Sequence, residues 1–383
     1  MASLRSTFAS LALLVACSPA AAEPTESSGD GRDDGFLAGK ADGACLDAAS
    51  PAATGVLAFV NDAATDLELL DRAAEDGGVG LTRRAAQNLV AARPIADLAA
   101  LDAVPWIGPA SCRALAEYAC NEAERCVATL DVMTWNLEHF PKTAATEDAV
   151  VELLGSLAPD LVGVQEVEST TALQHVVDAL PGYARVLGKR ADTRVALLYR
   201  EAAFELRAVE QLFTDDADAF PRPPLAVTMV PHDAVDPHEV VFVVVHLKAL
   251  SGASNEARRR DAVTKLRAWI DQRRALTPDI VVLGDWNDRI EEGPDTNVFG
   301  PLLEAAARVE FLTAEAAQTG AYSYVPFRSL IDHIAVTEEA LEDLRDPELE
   351  VLPLEQTWGG GDYVGEVTDH RPVRARFETA VGY

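Results

Sequence analysis

Basic residues are scarce in this chain. Lys and Arg number 32 against 62 Asp and Glu, a formal charge of −30 over 383 residues. Such a balance excludes binding to nucleic acid by bulk electrostatics, so activity on a polyanion needs local positive charge, a bound metal, or both. Aromatics are also few, at 6%. No apolar run beyond the extreme N-terminus approaches the ~20 residues of a membrane span, and the body is expected to be soluble. No CxxC spacing occurs and no His pair lies near a cysteine, which argues against structural zinc. What is present is globular: 49% hydrophobic and 25% charged residues exclude a disordered or collagen-like chain. The length exceeds what one core usually organises, so two domains with tails are expected.

Residues 1–22 read as an export signal, with Arg5 followed by a nearly unbroken apolar run from Phe8 to Ala16 that is too short to span a bilayer. Leu14-Val15-Ala16-Cys17 resembles a bacterial lipobox, which would acylate Cys17 and anchor the chain to a membrane. Ala20-Ala21-Ala22 offers an ordinary cleavage site as the rival. The lipoprotein reading is preferred because the apolar run stops at Cys17. Either way the protein is expected to be exported, as an outer-membrane or periplasmic lipoprotein or a secreted protein. Four further cysteines, Cys45, Cys112, Cys120 and Cys126, are an even number in an exported chain and imply two disulfides; three pairings remain open. Residues 23–44 are rich in Gly, Asp and Ser and read as a flexible linker. The Gly39-Lys40 pair there lacks the rest of a P-loop.

Residues 45–127 carry helical periodicity and read as a small all-α domain containing the disulfides. Residues 101–110, LDAVPWIGPA, look like a helix-hairpin-helix, with a weaker copy at residues 78–82. The glycine of such a hairpin exposes backbone N–H groups that can hold a phosphate. Arg83, Arg84, Arg93 and Arg113 are balanced by Asp97, Asp102, Glu117 and Glu122, so packing or docking is preferred over DNA binding. From residue 128 to 383 short apolar strands alternate with helices. Strands are expected at residues 130–135, 161–165, 195–199, 240–245, 280–283, 331–336 and 373–377. Helices are expected at residues 146–157, 170–180 and 255–274. That pattern describes one large α/β or α+β domain.

Polar residues cluster at the ends of these strands, where side chains from separate strands can meet in one cleft. Asn136, Glu166, His246, Asp285, Asn287, Asp332, Asp369 and His370 all occupy such positions. Their carboxylates and carboxamides suit Mg²⁺, Mn²⁺ or Ca²⁺, and the histidines suit proton transfer near neutral pH. A hard cation beside a general base is what hydrolysis of a phosphate ester needs. An EF-hand beginning at Asp285 is excluded, because Ile290 occupies the required glycine position.

The segments TWNLEHF, LVGVQEVES, VVVHLKA, VVLGDWNDR, SLIDHIAV and TDHRPV occur in an order that resembles the endonuclease/exonuclease/phosphatase superfamily, the deoxyribonuclease I-like fold. The resemblance spans about residues 128–380. It implies a four-layer α/β/β/α sandwich with a divalent cation, Mg²⁺ first, in the cleft. It further implies that Asn136, Glu166 and Asp369 surround the metal, and that Asp285 and Asn287 position phosphate and the attacking water. His370, oriented by Asp332, would be general base or acid, and His246 a second acid. Tyrosine is usual at the His246 position in abasic-site endonucleases, and Cys-Asp-Arg at the fifth motif of inositol polyphosphate 5-phosphatases, so both branches are disfavoured. Two departures from deoxyribonuclease I stand out. Residues 192–194 read Asp-Thr-Arg where a glutamate supports the first histidine, and Glu168 stands near the place of an arginine that enters the DNA minor groove.

Lys248, just after His246, and the run Arg258-Arg259-Arg260 supply local basicity, with Lys248 and Arg259 as candidate phosphate contacts. His139, His175, His232, His238 and His333 read as surface or packing residues. The chain is therefore read as an exported, metal-dependent phosphodiesterase, monomeric, acting on nucleic acid. A sphingomyelinase-like phospholipid phosphodiesterase is the second reading, and a catalytically inactive binding module the third.

Overall fold

The structure, a computed structural model, describes residues 45–48, 50–189, 193–232 and 238–380. The export signal, Cys17 and the linker at residues 23–44 lie outside the described residues.

Among the described residues twelve strands make up two sheets: β1 Val127–Phe140, β2 Leu161–Val167, β3 Tyr183–Leu187, β4 Arg194–Arg200, β5 Phe204–Gln211, β6 Arg222–Pro231, β7 Val240–His246, β8 Asp279–Asp285, β9 Val309–Phe311, β10 Asp332–Thr337, β11 Arg345–Val351 and β12 Val373–Ala380. The first sheet has the order β11-β12-β1-β2-β4-β3 and the second β5-β6-β7-β8-β10-β9. Each sheet holds one parallel pair at its centre, β1 with β2 and β7 with β8. Every residue of β7 and of β8 is buried, which is why these strands read as unbroken apolar runs and not as alternating ones.

The facing surfaces interdigitate closely. A Cβ on Gly163 would stand 3.1 Å from side chains of Leu283 and Val244 in the opposite sheet, so any larger residue there would require those side chains to give by a few tenths of an ångström. Outside the first sheet lie the helices Thr146–Leu157 and Thr170–Ala179, which pack Val150, Leu153, Leu173 and Val176 against Trp135 and Val164. Helix Ala253–Arg273 buries Ala262, Val263, Leu266 and Ile270 on the second sheet. The result is the expected four-layer sandwich.

Residues 45–123 form a helical segment with its own hydrophobic cluster, around Val56, Leu70, Leu89, Leu101 and Leu115. Two helix pairs follow: Leu67–Asp71 and Arg83–Ala91, connected by residues 72–82 with the 3-10 helix Ala74–Asp76, and Leu98–Ala103 and Pro109–Glu117, connected by residues 104–108. Arg84, from helix Arg83–Ala91, stacks over Trp106 in the connection of the second pair, while Arg83 pairs with Asp71. Of the three open pairings, the disulfides are Cys45–Cys112 and Cys120–Cys126, closing 67 and 6 residues respectively. Loop-closure entropy then predicts unequal stabilisation. Replacing both Cys45 and Cys112 by Ser should cost about 4 kcal/mol, and replacing Cys120 and Cys126 about 2 kcal/mol. Denaturant midpoints of the two variants measure this; equal shifts would contradict the loop-length account.

Candidate active site

The site is built where central strands of both sheets end. In the second sheet His246 closes β7 and sits in register with Asp285, which closes β8. Asp332 opens the antiparallel β10 directly opposite Asp285. Three adjacent strands thus set His246, Asp285 and Asp332 in one row, with no loop needed to bring them together.

The first sheet contributes Asn136 from β1 and Glu166 from β2. Asn136 Nδ2 donates across the sandwich to Asp285 Oδ2 at 2.9 Å and to Glu166 Oε1 at 3.3 Å. Beyond Asn136 the β1–β2 register shifts, and Glu138 and His139 take left-handed backbone angles (φ 39° and 55°), as does Glu166 (φ 61°). Such conformations are costly for non-glycine residues and persist where surrounding contacts impose them. Here the Glu138 N–H donates to Asn136 Oδ1 (2.9 Å) and the His139 N–H to Glu166 Oε2 (3.1 Å). The bend therefore aims both metal-ligand candidates at the cleft.

His370 Nδ1 lies 2.8 Å from Asp332 Oδ2. A carboxylate accepts only, so Nδ1 carries the donated proton and Nε2 faces the cleft, 3.7 Å from Asp369 Oδ1. Tyr363 Oη and Trp135 Nε1 both donate to the His370 carbonyl (2.7 and 3.3 Å), fixing the ring's backbone. His246 Nε2 stands 3.5 Å from Asp285 Oδ2 and 3.7 Å from Glu166 Oε1. Asn287 (φ 56°) follows Asp285, donating its N–H to Asp285 Oδ1 (2.8 Å) and its Nδ2 to the Leu247 carbonyl (3.3 Å).

The electrostatics set the two histidines apart. Burial, reinforced by Arg222 and His370, pushes His246 well below the ordinary imidazole range. The charged form of His246 is therefore disfavoured in this cleft. Burial also opposes charge on His370, but the Asp332 charge and hydrogen bond, with Asp285 and Asp369, outweigh it and raise the imidazole. Asp285 rises to about 7 through burial and then the neighbouring Asp332 charge. Asp369 rises to about 6 through burial, with His370 opposing and Glu138 adding to the rise.

A divalent cation fits this donor set. Four carboxylates crowd the cleft, and Asp332 Oδ1 is buried with no hydrogen-bond partner among the described residues. Ligand atoms of Asp285, Asp332 and His370 lie within 4.8 Å of one another. Asp332 Oδ2 is committed to His370, so the oxygens open to a cation are Asp332 Oδ1 and those of Asn136, Glu166, Asp285 and Asp369, all hard donors.

The basic residues divide in an unexpected way. Arg259 is 3% exposed and binds Asp288 Oδ2 (2.7 Å) and the carbonyls of Lys248 and Leu250 (both 2.8 Å). It is a brace for the loop after β7, which replaces its expected role as a phosphate contact. Arg258 and Arg260 likewise bind carbonyls of Asp218 and Asn297. Among the described residues Lys248 donates only to the adjacent Ala249 carbonyl, and burial, with Arg258, Arg222 and Arg259 adding to it, lowers its pKa. Positive potential beside His246 thus comes from Lys248 and from Arg222, in register with His246 on β6. Arg222 escaped the sequence reading because it opens a proline-rich strand. Tyr324 was missed too; its ring lies 5.0 Å from that of His370, and Phe327 stacks on it at 5.7 Å while 78% exposed. The aromatic spacing in YSYVPF, just before Asp332, was the available signal.

His333 turns away from the cleft. Its Nε2–H donates to the Asp288 carbonyl (2.9 Å), so Nδ1 accepts from Thr313 Oγ1 (2.7 Å). Burial lowers its pKa from 6.5 to about 4. The unfolded chain therefore takes up this proton first: the contribution to stability is full above pH 6.5 and is lost as pH falls toward 4, a total of about 3 kcal/mol. Denaturant midpoints across that window should fall less steeply in His333→Gln than in the unaltered protein. Identical slopes would contradict the assignment.

The family model for the Endonuclease/Exonuclease/phosphatase family matches residues 133–370. Among solved structures, the human Nocturnin catalytic domain with bound sulfate anion is similar at TM-score 0.50 and 16% identity, over 65% of this chain and 94% of that one. D. rerio TDP2 complexed with single strand DNA product gives 0.49 and 16%, over 65% and 99%. The 3' phosphatase NExo from Neisseria, bound to product DNA hairpin, gives 0.46 and 18%, over 65% and 99%. At 16% identity the likeness to the Nocturnin domain speaks for the fold alone. Among curated proteins no match is found.

Proposed function

The chain belongs to the Endonuclease/Exonuclease/phosphatase family, a family of phosphoesterase hydrolases, and from that premise we propose that it is a divalent-metal-dependent phosphodiesterase acting on nucleic acid. The observation that carries this reading is the Asn136–Asp285 hydrogen bond of 2.9 Å, which ties metal-ligand candidates of one sheet to the acid–base residues of the other. Asn136, Glu166 and Asp369 would hold the cation, with Asp285 at its edge. When bound, it supplies charge neutralisation to the phosphoryl oxygens.

The chain's own groups do the rest. Asp285 and Asn287 orient a water, and Asp285, raised toward neutrality by burial, accepts its proton. His370, held in one tautomer by Asp332, delivers a proton from Nε2 to the leaving oxygen. Such a pair of groups with pKa values pushed to suit opposite roles is how acid and base chemistry coexist at one pH. Neutral His246 donates a hydrogen bond to a phosphoryl oxygen, and Lys248 with Arg222 attracts the flanking phosphate. The Tyr324–Phe327 stack offers a base-stacking platform beside the reacting phosphate, a sequence-tolerant way to hold a single strand.

A phospholipid substrate is the second reading, favoured by the exposure of Leu250 (73%) and Phe327 (78%) near the cleft. Purified protein with Mg²⁺ is incubated in parallel with plasmid DNA, single-stranded DNA and RNA, and sphingomyelin vesicles. Nucleic acid cleavage is expected; turnover of the vesicles alone would replace it with the lipid reading. Export, with lipid attachment at Cys17, accords with the two disulfides. Mass spectrometry of the mature N-terminus tests it, and an unmodified Glu23 start would end the lipoprotein idea. The helical segment of residues 45–127 is proposed as an accessory domain.

A further inference from the structure

The strands β7 and β8 run parallel from the pair Val240–Asp279 to the pair His246–Asp285. Six residues at ~3.3 Å each separate their two ends by ~20 Å. The far end carries a second constellation that the hydrolytic site does not use. His238 precedes β7, Asp279 opens β8, and Asp343 ends the short helix Ala340–Asp343. His238 Nε2 lies 3.7 Å from Asp279 Oδ2 and 3.9 Å from Asp343 Oδ2, and ligand atoms of all three lie within 4.8 Å of one another.

We propose that His238, Asp279 and Asp343 form a second cation site, for a first-row transition dication of the Zn²⁺ or Mn²⁺ kind. The separations are too long for hydrogen bonds. They suit ligands sharing one ion: donors ~2.1 Å from a common centre lie roughly 3–4 Å apart. Asp279 is only 3% exposed, yet among the described residues its carboxylate accepts no hydrogen bond and pairs with no Lys or Arg. A buried carboxylate left this way is costly unless a cation meets it. Burial raises Asp279 to about 6, His238 opposes that rise, and Asp343, Glu339 and Glu342 add to it. Glu339 is already neutralised by Arg274 and Arg308, which leaves the charge of Asp279 and Asp343 to the ion. One imidazole nitrogen with two carboxylate oxygens favours Zn²⁺ or Mn²⁺ over Mg²⁺ or Ca²⁺, with water completing the shell. A bound ion would tie the starts of both central strands to the helix that covers them.

The test uses the full chain with its hydrolytic cleft silenced by Glu166→Gln, Asp285→Asn and Asp369→Asn, titrated calorimetrically with Zn²⁺. One high-affinity ion per chain is expected, raising the melting temperature. Adding Asp279→Asn should weaken that binding by ~10²-fold or more, since even loss of a group behind a ligand weakens metal binding 10–100-fold. Asp343→Asn should do the same, and its side chain is 45% exposed, so the fold tolerates it. No zinc uptake by the cleft-silenced protein, or unchanged affinity in both variants, would overturn the proposal. The readout needs no turnover and stands apart from the substrate reading.

Discussion

Replacing His370 by Gln is expected to lower kcat by ~10²- to 10⁴-fold, the range for loss of a positioned proton-transfer group, while KM changes little. His370 is buried between Asp332 and Asp369, with its carbonyl held by Tyr363 and Trp135. Glutamine keeps a donor toward Asp332 but cannot hand over a proton. Circular dichroism and melting temperature should stay near those of the unaltered protein, which separates lost chemistry from lost fold. An unchanged rate would mean that another group moves the proton.

Replacing Asp285 by Asn is expected to cost about 10³-fold in kcat, comparable to removing a central electrostatic group from an active site. Three features of the structure meet at this carboxylate: the hydrogen bond from Asn136, the register with His246, and the facing Asp332. Burial brings its pKa to about 7, where a base can accept a proton and release it again. Asparagine preserves the shape and the contact to Asn287 but cannot accept a proton. Because Asp285 and His370 serve one reaction, the double variant should be little worse than the poorer single variant, as residues acting as a unit are not additive. Multiplied losses in kcat would show that the two act in separate steps.

Legibility in the sequence followed burial. The central strands β7 and β8 announced themselves because both faces are covered, and helix Thr146–Leu157 matched its expected bounds because its apolar stripe is regular. Strand β5 went unread: only Phe204 in it is buried, and as an edge strand its FELRAVEQ sequence carries solvent-facing residues. β11 is an edge of the other sheet with no fully buried residue. β6 hid behind prolines at its start.

The cleft residues were legible because strand ends place them, and a strand end is visible as an apolar run that stops at a polar residue. Cross-strand relations were not. Nothing local tells that Arg222 will stand beside His246, that Arg259 will be drawn inward by Asp288, or that His238 will meet Asp343. Those depend on register between strands far apart in the chain, which the sequence carries only through the fold.

The central claim, that the strand-end residues hydrolyse a phosphodiester with a dication, is tested most directly on a substrate that asks nothing of the nucleic-acid reading. Bis(p-nitrophenyl) phosphate is incubated with the protein in Mg²⁺ or Mn²⁺, then with excess EDTA, then with the metal restored. Release of p-nitrophenol that stops with EDTA and resumes with the metal is the predicted result. Release that continues unchanged in EDTA, or none with either metal, would contradict the account.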